Sequence, residues 1–262
     1  MVELLDTHDS KSCGRKPVRV GIPPSAPVMP KQKILNKKIV WDSNLAYAVG
    51  LLVTDGNLSR DGRHITFRST ERSLLNTFKK CLGLKNKIGY TDNFQGQRVQ
   101  FSNVTFYNWL LKIGLFPAKT YTIGKIKIPH KYFRDFLRGH LDGDGSIIVY
   151  LDHYNVYRGR TYTNKRIFVK FTSASEAHIK WLLQKINLLA DVRGALIYKP
   201  PPTRSRVPTW DIKFGKKESI KLLKWIYYKK DIPCLKRKKL IAKKAIAEIS
   251  KERRKKYTRI IS

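Results

Sequence analysis

The stretch "LRGHLDGDGSI", Leu137 to Ile147, closes an apolar-patterned run on a glycine-rich turn that carries two aspartates, Asp142 and Asp144. Upstream, "AVGLLVTDGNL", Ala48 to Leu58, repeats the shape, with Asp55-Gly56 standing where Asp144-Gly145 stands. One Asp-Gly at the end of a helix reads as an ordinary turn. Two copies, each followed by the same succession of patterns, read as a duplication. A calcium loop is excluded for Asp142, because the sixth position is Ile147 rather than glycine and the twelfth is His153 rather than glutamate.

Outward from the first copy the pattern gives a strand at "HITFRS", with Ile65 and Phe67 inward and His64, Thr66 and Arg68 outward. A helix from Glu71 to Leu82 follows, then strands at "NKIGYTD" and "RVQFSN", and a helix containing "FYNWLLKIGL". Outward from the second copy, a helix over Lys131–Leu141 leads to a hairpin, "SIIVYLD" and "RIFVKFTS". The helix "SEAHIKWLLQKINLL", the strands "RGALIYKP" and "TWDIKFG", and the helix "KKESIKLLKWIYY" complete it. The order predicts an α+β fold of two pseudo-symmetric αββαββα repeats, a period far longer than a solenoid's. The halves are unequal. Asp144 to Glu176 is longer than Asp55 to Glu71, and the extra length falls in a basic, aromatic, turn-prone loop, His153–Arg166. Unequal hairpins suit an asymmetric target.

Composition narrows the partner. The chain has 262 residues, with 54 Lys and Arg against 19 Asp and Glu, a net charge of +35. Such an excess repels itself in a compact state, and a polyanion relieves it. A membrane is not expected, since the apolar run Leu45–Val53 is too short to span one. No apolar N-terminal segment suggests secretion. Three scattered cysteines without a CxxC pair suit a reducing, intracellular setting and neither a disulfide framework nor a zinc site. Residues 1–40, with five of the twelve prolines, read as a flexible basic arm. Repeats over 41–116 and 131–250, a linker at 117–130 and a basic tail at 251–262 complete the expected organisation.

The acids have a use inside this basic surface. Gly50 and Gly139 occupy equivalent places, each five residues before its aspartate. Glycine inside a helix costs about 1 kcal/mol against alanine, a cost that close approach of two backbones explains. The faces bearing Leu45, Val49 and Leu52 and bearing Phe136, Leu137 and Leu141 would then pack together, bringing Asp55 and Asp144 side by side. Adjacent carboxylates repel unless a cation sits between them. Hard oxygen donors in a phosphate-binding protein suit Mg²⁺ or Mn²⁺, which can clamp both oxygens of a phosphoryl displacement.

On these two motifs the chain resembles the LAGLIDADG homing endonucleases in their single-chain form. The resemblance extends to "IGLFPAKTYTIGKIKIPHKYFRDFLRGHLDGDGSI", Ile113 to Ile147, as the junction between repeats, and to "IYYKKDIPCLKRKK", Ile226 to Lys239, as the closing helix. It implies motif helices packed at the centre and antiparallel sheets forming a DNA-binding saddle. It assigns metal binding to Asp55 and Asp144, with the carbonyls of Thr54 and Gly143 as further ligands. The earlier acid of the signature, Asp142 in one half and Val53 in the other, is not the catalytic one. Accessory basic or polar residues fall on Arg68, Ser173, Gln100 and Lys213, with Lys213 as the lysine that stabilises charge.

The strands would lie in the major groove. Their alternation leaves Arg98, Gln100 and Ser102 outward in the first half, together with His64, Thr66 and Arg68. In the second half Ile147, Val149, Leu151, Ile167, Val169 and Phe171 face inward, leaving Tyr150, Asp152, Arg166, Lys170 and Thr172 out. Arg158 and Arg160 in the hairpin loop, and Lys199, Arg204, Arg206 and Lys213 around the last strands, complete the candidate DNA-binding set. The segment from Lys229 onward reads as a solvated basic helix and tail. The resemblance implies a monomeric, metal-dependent endonuclease cutting both strands of a long asymmetric duplex to short 3′ overhangs, in the service of intron mobility. The alternative is an RNA maturase acting on its host intron, served by the same basic surface.

Overall fold

Residues 39–90, 96–157, 159–201, 203 and 207–261 are described in the computed structural model, without the side chains of 154–157, 160–162 and 251–261. The first repeat opens with α1 (Ser43–Asp55), which Asp42 caps by accepting from the Leu45 N–H at 2.6 Å. Then come β1 (Gly56–Leu58), β2 (His64–Ser69), α2 (Arg72–Leu82), β3 (Ile88–Tyr90), β4 (Gln97–Ser102) and α3 (Val104–Ile113). The second repeat runs α4 (Phe133–Asp142), β5 (Ser146–Tyr157), β6 (Arg160–Ser173), α5 (Glu176–Ala190), β7 (Ala195–Lys199), β8 (Thr209–Phe214) and α6 (Lys216–Ile226). A final helix, α7, spans Lys236–Ile261 and continues through the segment read as a tail.

Both sheets are antiparallel and share one strand order, β1-β2-β4-β3 and β5-β6-β8-β7. Each packs one face on its own helices. Ile65, Phe67, Val99 and Phe101 in one sheet, and Ile167, Val169, Phe171, Ile212 and Phe214 in the other, are fully buried. The opposite parity holds the outward residues, in register His64 with Ser102, Thr66 with Gln100, Arg68 with Arg98 and Lys170 with Lys213.

Helices α1 and α4 form the seam between the repeats. Every residue from Leu45 to Val53 is buried, so α1 has no solvent face and packs on both halves. The crossing is at the glycines. A Cβ on Gly50 would lie 2.2 Å from the Phe136 carbonyl oxygen, and one on Gly139 would lie 2.1 Å from that of Tyr47. Both are far inside contact distance, so no side chain fits at either place.

Four readings of the sequence need correction. Thr66 is buried although its parity is outward, because on the central strand β2 its short side chain lies between Asn57 and Gln100 of the flanking strands. Leu151 is 54% exposed although its parity is inward. Its register partner Lys165 is only half-buried and bridges to Glu248 of α7. The segment His153–Arg166 is no loop: β5 and β6 stay paired to Tyr157 and Arg160, with an irregularity between Asp152 and Asn155 and left-handed Gly159 (φ 72°) at the turn. The closing helix begins at Lys236, not Ile226, because 227–235 is an irregular connection whose carbonyls are held by buried cations. Arg138 donates to the carbonyls of Ile226 (3.1 Å) and Pro233 (2.7 Å), and Lys239 to that of Lys230 (2.6 Å).

Candidate active site

The two motif helices deliver their aspartates to one place because α1 and α4 cross at Gly50 and Gly139 and end together. A Cβ on Gly143 would fall 2.0 Å from the Thr54 hydroxyl and 2.7 Å from an Asp55 carboxylate oxygen. Gly143 and the end of α1 are thus in direct contact across the seam. Thr54 fixes its neighbour further, donating to the Leu51 carbonyl (3.0 Å) and lying 3.1 Å from Asp55 Oδ2. Asp144 is exposed and lines a small cleft of about 70 Å³ together with Thr54, Lys119, His140, Ser173 and His178.

Both carboxyls are held above the usual carboxylate range. Burial raises Asp55 most, the neighbouring Asp144 adds to it, and the group stands at about 6. Loss of hydration in the cleft raises Asp144, which Lys119 and Lys238 partly offset. The repulsion between the two carboxylates fits a small hard divalent cation held between them. Among the described residues no cluster of three or more His, Cys, Asp or Glu exists.

Two lysines complete the site, and the sequence reading did not single out either. Lys119 follows Ala118, whose φ of 54° is left-handed, and its buried ammonium donates to the carbonyl of Gly56 at 2.5 Å. Lys238, in the first turn of α7, donates to the carbonyls of Leu141 (2.7 Å), Asp142 (2.9 Å), Gly143 (3.2 Å) and Gly145 (2.7 Å). Gly56 and Gly145 are the equivalent glycines after the two aspartates, so each motif helix has its own lysine at its C-terminal carbonyls. There the helix dipole favours a cation. Burial pulls both ammoniums below the ordinary lysine range, and the nearby aspartates oppose that shift. The only signal in the sequence is a lysine after each repeat, Lys119 beyond α3 and Lys238 at the start of α7, which a chain this rich in lysine hides.

Asp142 serves the fold. It is buried, accepts from the Tyr47 hydroxyl (2.9 Å) and from the Leu235 N–H (2.7 Å), and so ties α1 and the approach to α7 to the end of α4. The counterpart Val53 is a buried core residue. Behind the cleft, His178 Nδ1 lies 2.8 Å from the Gly124 carbonyl and its Nε2 lies 3.1 Å from His140 Nε2. A carbonyl only accepts, so His178 carries its proton on Nδ1 and accepts from His140 Nε2–H. Burial keeps both rings neutral.

The accessory candidates sit on the outward sheet faces. Arg68, Gln100 and Ser102 are exposed, and His64 and Arg98 are half-buried beside them. Lys213 is exposed, with its ammonium 4.1 Å from the centre of the Phe168 ring, whereas the cations acting on Asp55 and Asp144 together are Lys119 and Lys238. Ser173 accepts from the Ser175 N–H at 3.0 Å at the start of α5. Arg166 pairs with Asp152 (2.9 Å) along the hairpin, and Tyr150 is exposed. The second sheet also holds a carboxylate that the alternation did not flag. Asp211 is buried, accepts from the Thr172 hydroxyl (2.6 Å), and pairs with Lys199 (2.7 Å) and Lys170 (3.5 Å). Burial alone would raise it; those hydrogen bonds and ammoniums bring it below the ordinary value. Arg158, Arg204 and Arg206 lie outside the described residues, as does the arm through residue 38, and the side chain of Arg160 is likewise outside them.

The fold and this site define a class: a pseudo-symmetric pair of αββαββα repeats with twin acidic helix ends at the seam. Solved structures with this architecture include the homing endonuclease I-WcaI bound to its DNA recognition sequence. It is 10% identical, matches over 85% of this chain and 95% of that one, and has a TM-score of 0.53. The meganuclease I-SmaMI, bound to uncleaveable DNA, is 13% identical over 79% of this chain and 92% of that one, with a TM-score of 0.52. The LAGLIDADG meganuclease I-AabMI, bound to uncleaved DNA, is 13% identical with the same coverage and a TM-score of 0.49. The chain has the fold of the single-chain LAGLIDADG homing endonucleases. No protein-family model and no curated protein matches its sequence.

Proposed function

We propose that this protein is a site-specific double-strand DNA endonuclease that requires a divalent metal. The observation that carries the reading is the meeting of Asp55 and Asp144 at the ends of two crossed helices, beside two sheets whose outward faces carry Arg68, Arg98, Gln100, Lys170 and Lys213. The solved structures of the same fold named above are bound to DNA, which supports a duplex as the partner. Asp55 and Asp144, with the carbonyls of Thr54 and Gly143, would hold Mg²⁺ or Mn²⁺. A bound metal supplies Lewis-acid stabilisation of charge on the phosphoryl oxygens and activates water. The chain's own residues do the rest. Lys119 and Lys238 hold the carbonyls on which the two aspartates are mounted. Arg68, Gln100 and Lys213 lie on the outward strands as candidates for contact with the phosphates beside the scissile bonds. The unequal hairpins suit a long asymmetric target cut across both strands to short 3′ overhangs, and such a product suits mobility of an intron. The two repeats in one chain make a monomer sufficient for both cuts.

The test begins by selecting bound duplexes from a random library with the full chain, then measuring cleavage of the selected target with Mg²⁺. Asp55→Asn and Asp144→Asn should each lower double-strand cleavage by about 1000-fold, the equivalent of several kcal/mol of lost charge stabilisation. Full cleavage by both variants sinks the metal-site assignment. Binding without cleavage by the wild type identifies a DNA-binding protein that does not cut. Tighter binding to structured RNA than to any duplex favours the maturase.

A further inference from the structure

The outward faces of the two sheets differ in chemistry. On the first sheet the outward positions His64, Thr66, Arg68, Arg98, Gln100 and Ser102 are all polar. On the second, the base of the long hairpin places Ile148, Tyr150 and Phe168 outward, Ile148 opposite Phe168 in register and Tyr150 two pairs further along, opposite Arg166. Ile148 is 41% exposed and Tyr150 is 45% exposed. These apolar groups stand among Arg166, Lys170 and Lys213, so a polyanion drawn to those cations meets an apolar surface at their centre.

Part of the patch is already engaged in contacts of its own. The Tyr150 and Phe168 rings already stack on each other, with centroids 5.9 Å apart and planes at 25°, and the Lys213 ammonium covers the Phe168 ring at 4.1 Å. With the Phe168 ring engaged by both Tyr150 and Lys213, the available apolar surface is the Ile148 aliphatic side chain and the exposed part of Tyr150. In the major groove the apolar feature of a base pair is the C5-methyl of thymine. Uracil lacks it, so the patch would distinguish thymine-bearing duplex DNA from RNA.

Resting on the reading of the protein as a duplex-DNA binder, we propose that Ile148, Tyr150 and Phe168 form a thymine-methyl contact that sets base preference in one half of the target. The first sheet, whose outward positions on β2 and β4 are polar, reads the other half by hydrogen bonding.

The test uses the full chain, its selected duplex, and equilibrium binding followed by fluorescence anisotropy without divalent metal. Thymines are replaced by deoxyuridine one at a time, which removes the methyl and nothing else. Wild type should lose about fourfold in affinity at one or two thymines, all in the same half-site, the worth of one buried methyl-sized group. Ile148→Ala and Phe168→Ala should bind the thymine and deoxyuridine duplexes alike at those positions. Tyr150→Phe, which removes only the hydroxyl, should keep the discrimination. Ile148 is exposed, so its variant tests the contact even if Phe168→Ala disturbs the fold. Equal wild-type affinity for thymine and deoxyuridine at every position overturns the proposal, as does discrimination that survives Ile148→Ala unchanged. Tighter binding to single-stranded RNA than to duplex overturns it in favour of base stacking. A chain that binds no duplex at all overturns the underlying DNA-binding reading as well, which separates the two failures.

Discussion

Asp55 concentrates the conflict at the centre of this protein, a carboxylate placed where burial and a second carboxylate both oppose its charge. Its folded pKa of about 6 lies above the ordinary value of 3.8. The folded chain therefore holds a proton that the unfolded chain has released, and stability tied to that proton is lost as pH rises through 6. With a chelator present, Asp55→Asn should be more stable than wild type at pH 8, where the wild-type carboxylate is charged. At pH 5 this advantage should shrink. Urea denaturation at the two pH values reads the difference, and Mg²⁺ at pH 8 should stabilise wild type selectively. An advantage for the variant that is the same at both pH values would remove the strained carboxylate from the account. Asp142, two positions before Asp144, shows how the same residue type serves a different end, since its partners are Tyr47 and the Leu235 backbone.

Helices α1 and α4 set the distance between the aspartates, and their crossing leaves room for no side chain at either glycine. Gly50→Ala would gain about 1 kcal/mol of helix propensity, but its Cβ would meet backbone at 2.2 Å and 2.8 Å, which cannot move aside alone. Overpacking of this kind costs about 1–3 kcal/mol or more, so the variant should be less stable in urea. Gly124→Ala, where a Cβ meets nothing within 4 Å, should be close to neutral and serves as the control. Equal stability of the two variants would show that the helices are not in contact at Gly50. Lys119 and Lys238 act at the same scale, one for each motif helix, by satisfying carbonyls that a helix end leaves unpaired.

Over the whole molecule, the net charge of +35 is divided between interior and surface. Arg138, Lys119, Lys238 and Lys239 are buried and spent on carbonyls and on Asp135. The remaining excess is what a polyanion would neutralise. If six to ten phosphates are contacted, affinity for an unselected duplex should fall by about 10³–10⁵ between 50 and 200 mM salt. Anisotropy titrations across that range measure the slope. A shallow slope would mean that the surplus charge does not serve phosphate binding. Among the described residues no helix is long and apolar enough to cross a membrane, which leaves no such helix as an alternative use for the charge.

Much of this architecture was legible in the chain itself. The doubled Asp-Gly ending, the glycine five residues before each aspartate and the period-two alternation carry the repeat, the seam and the sheets, because local periodicity and repetition survive in a linear string. Thr66 and Leu151 escaped the alternation, since parity sets which face a residue takes but not what stands beside or beneath it. The hairpin is hard to tell from a loop in the sequence, because its basic and aromatic residues suit an extended strand beyond the core as well as a turn. Lys119, Lys238 and Asp211 were invisible for another reason: their partners are far away in sequence, and in a chain this basic a buried lysine looks like every other lysine. The sequence by itself determined that two acidic helix ends exist and that they are equivalent. Only the tertiary structure decided which cations hold them, because burial next to a distant carbonyl is a property of the packed chain and leaves no local mark.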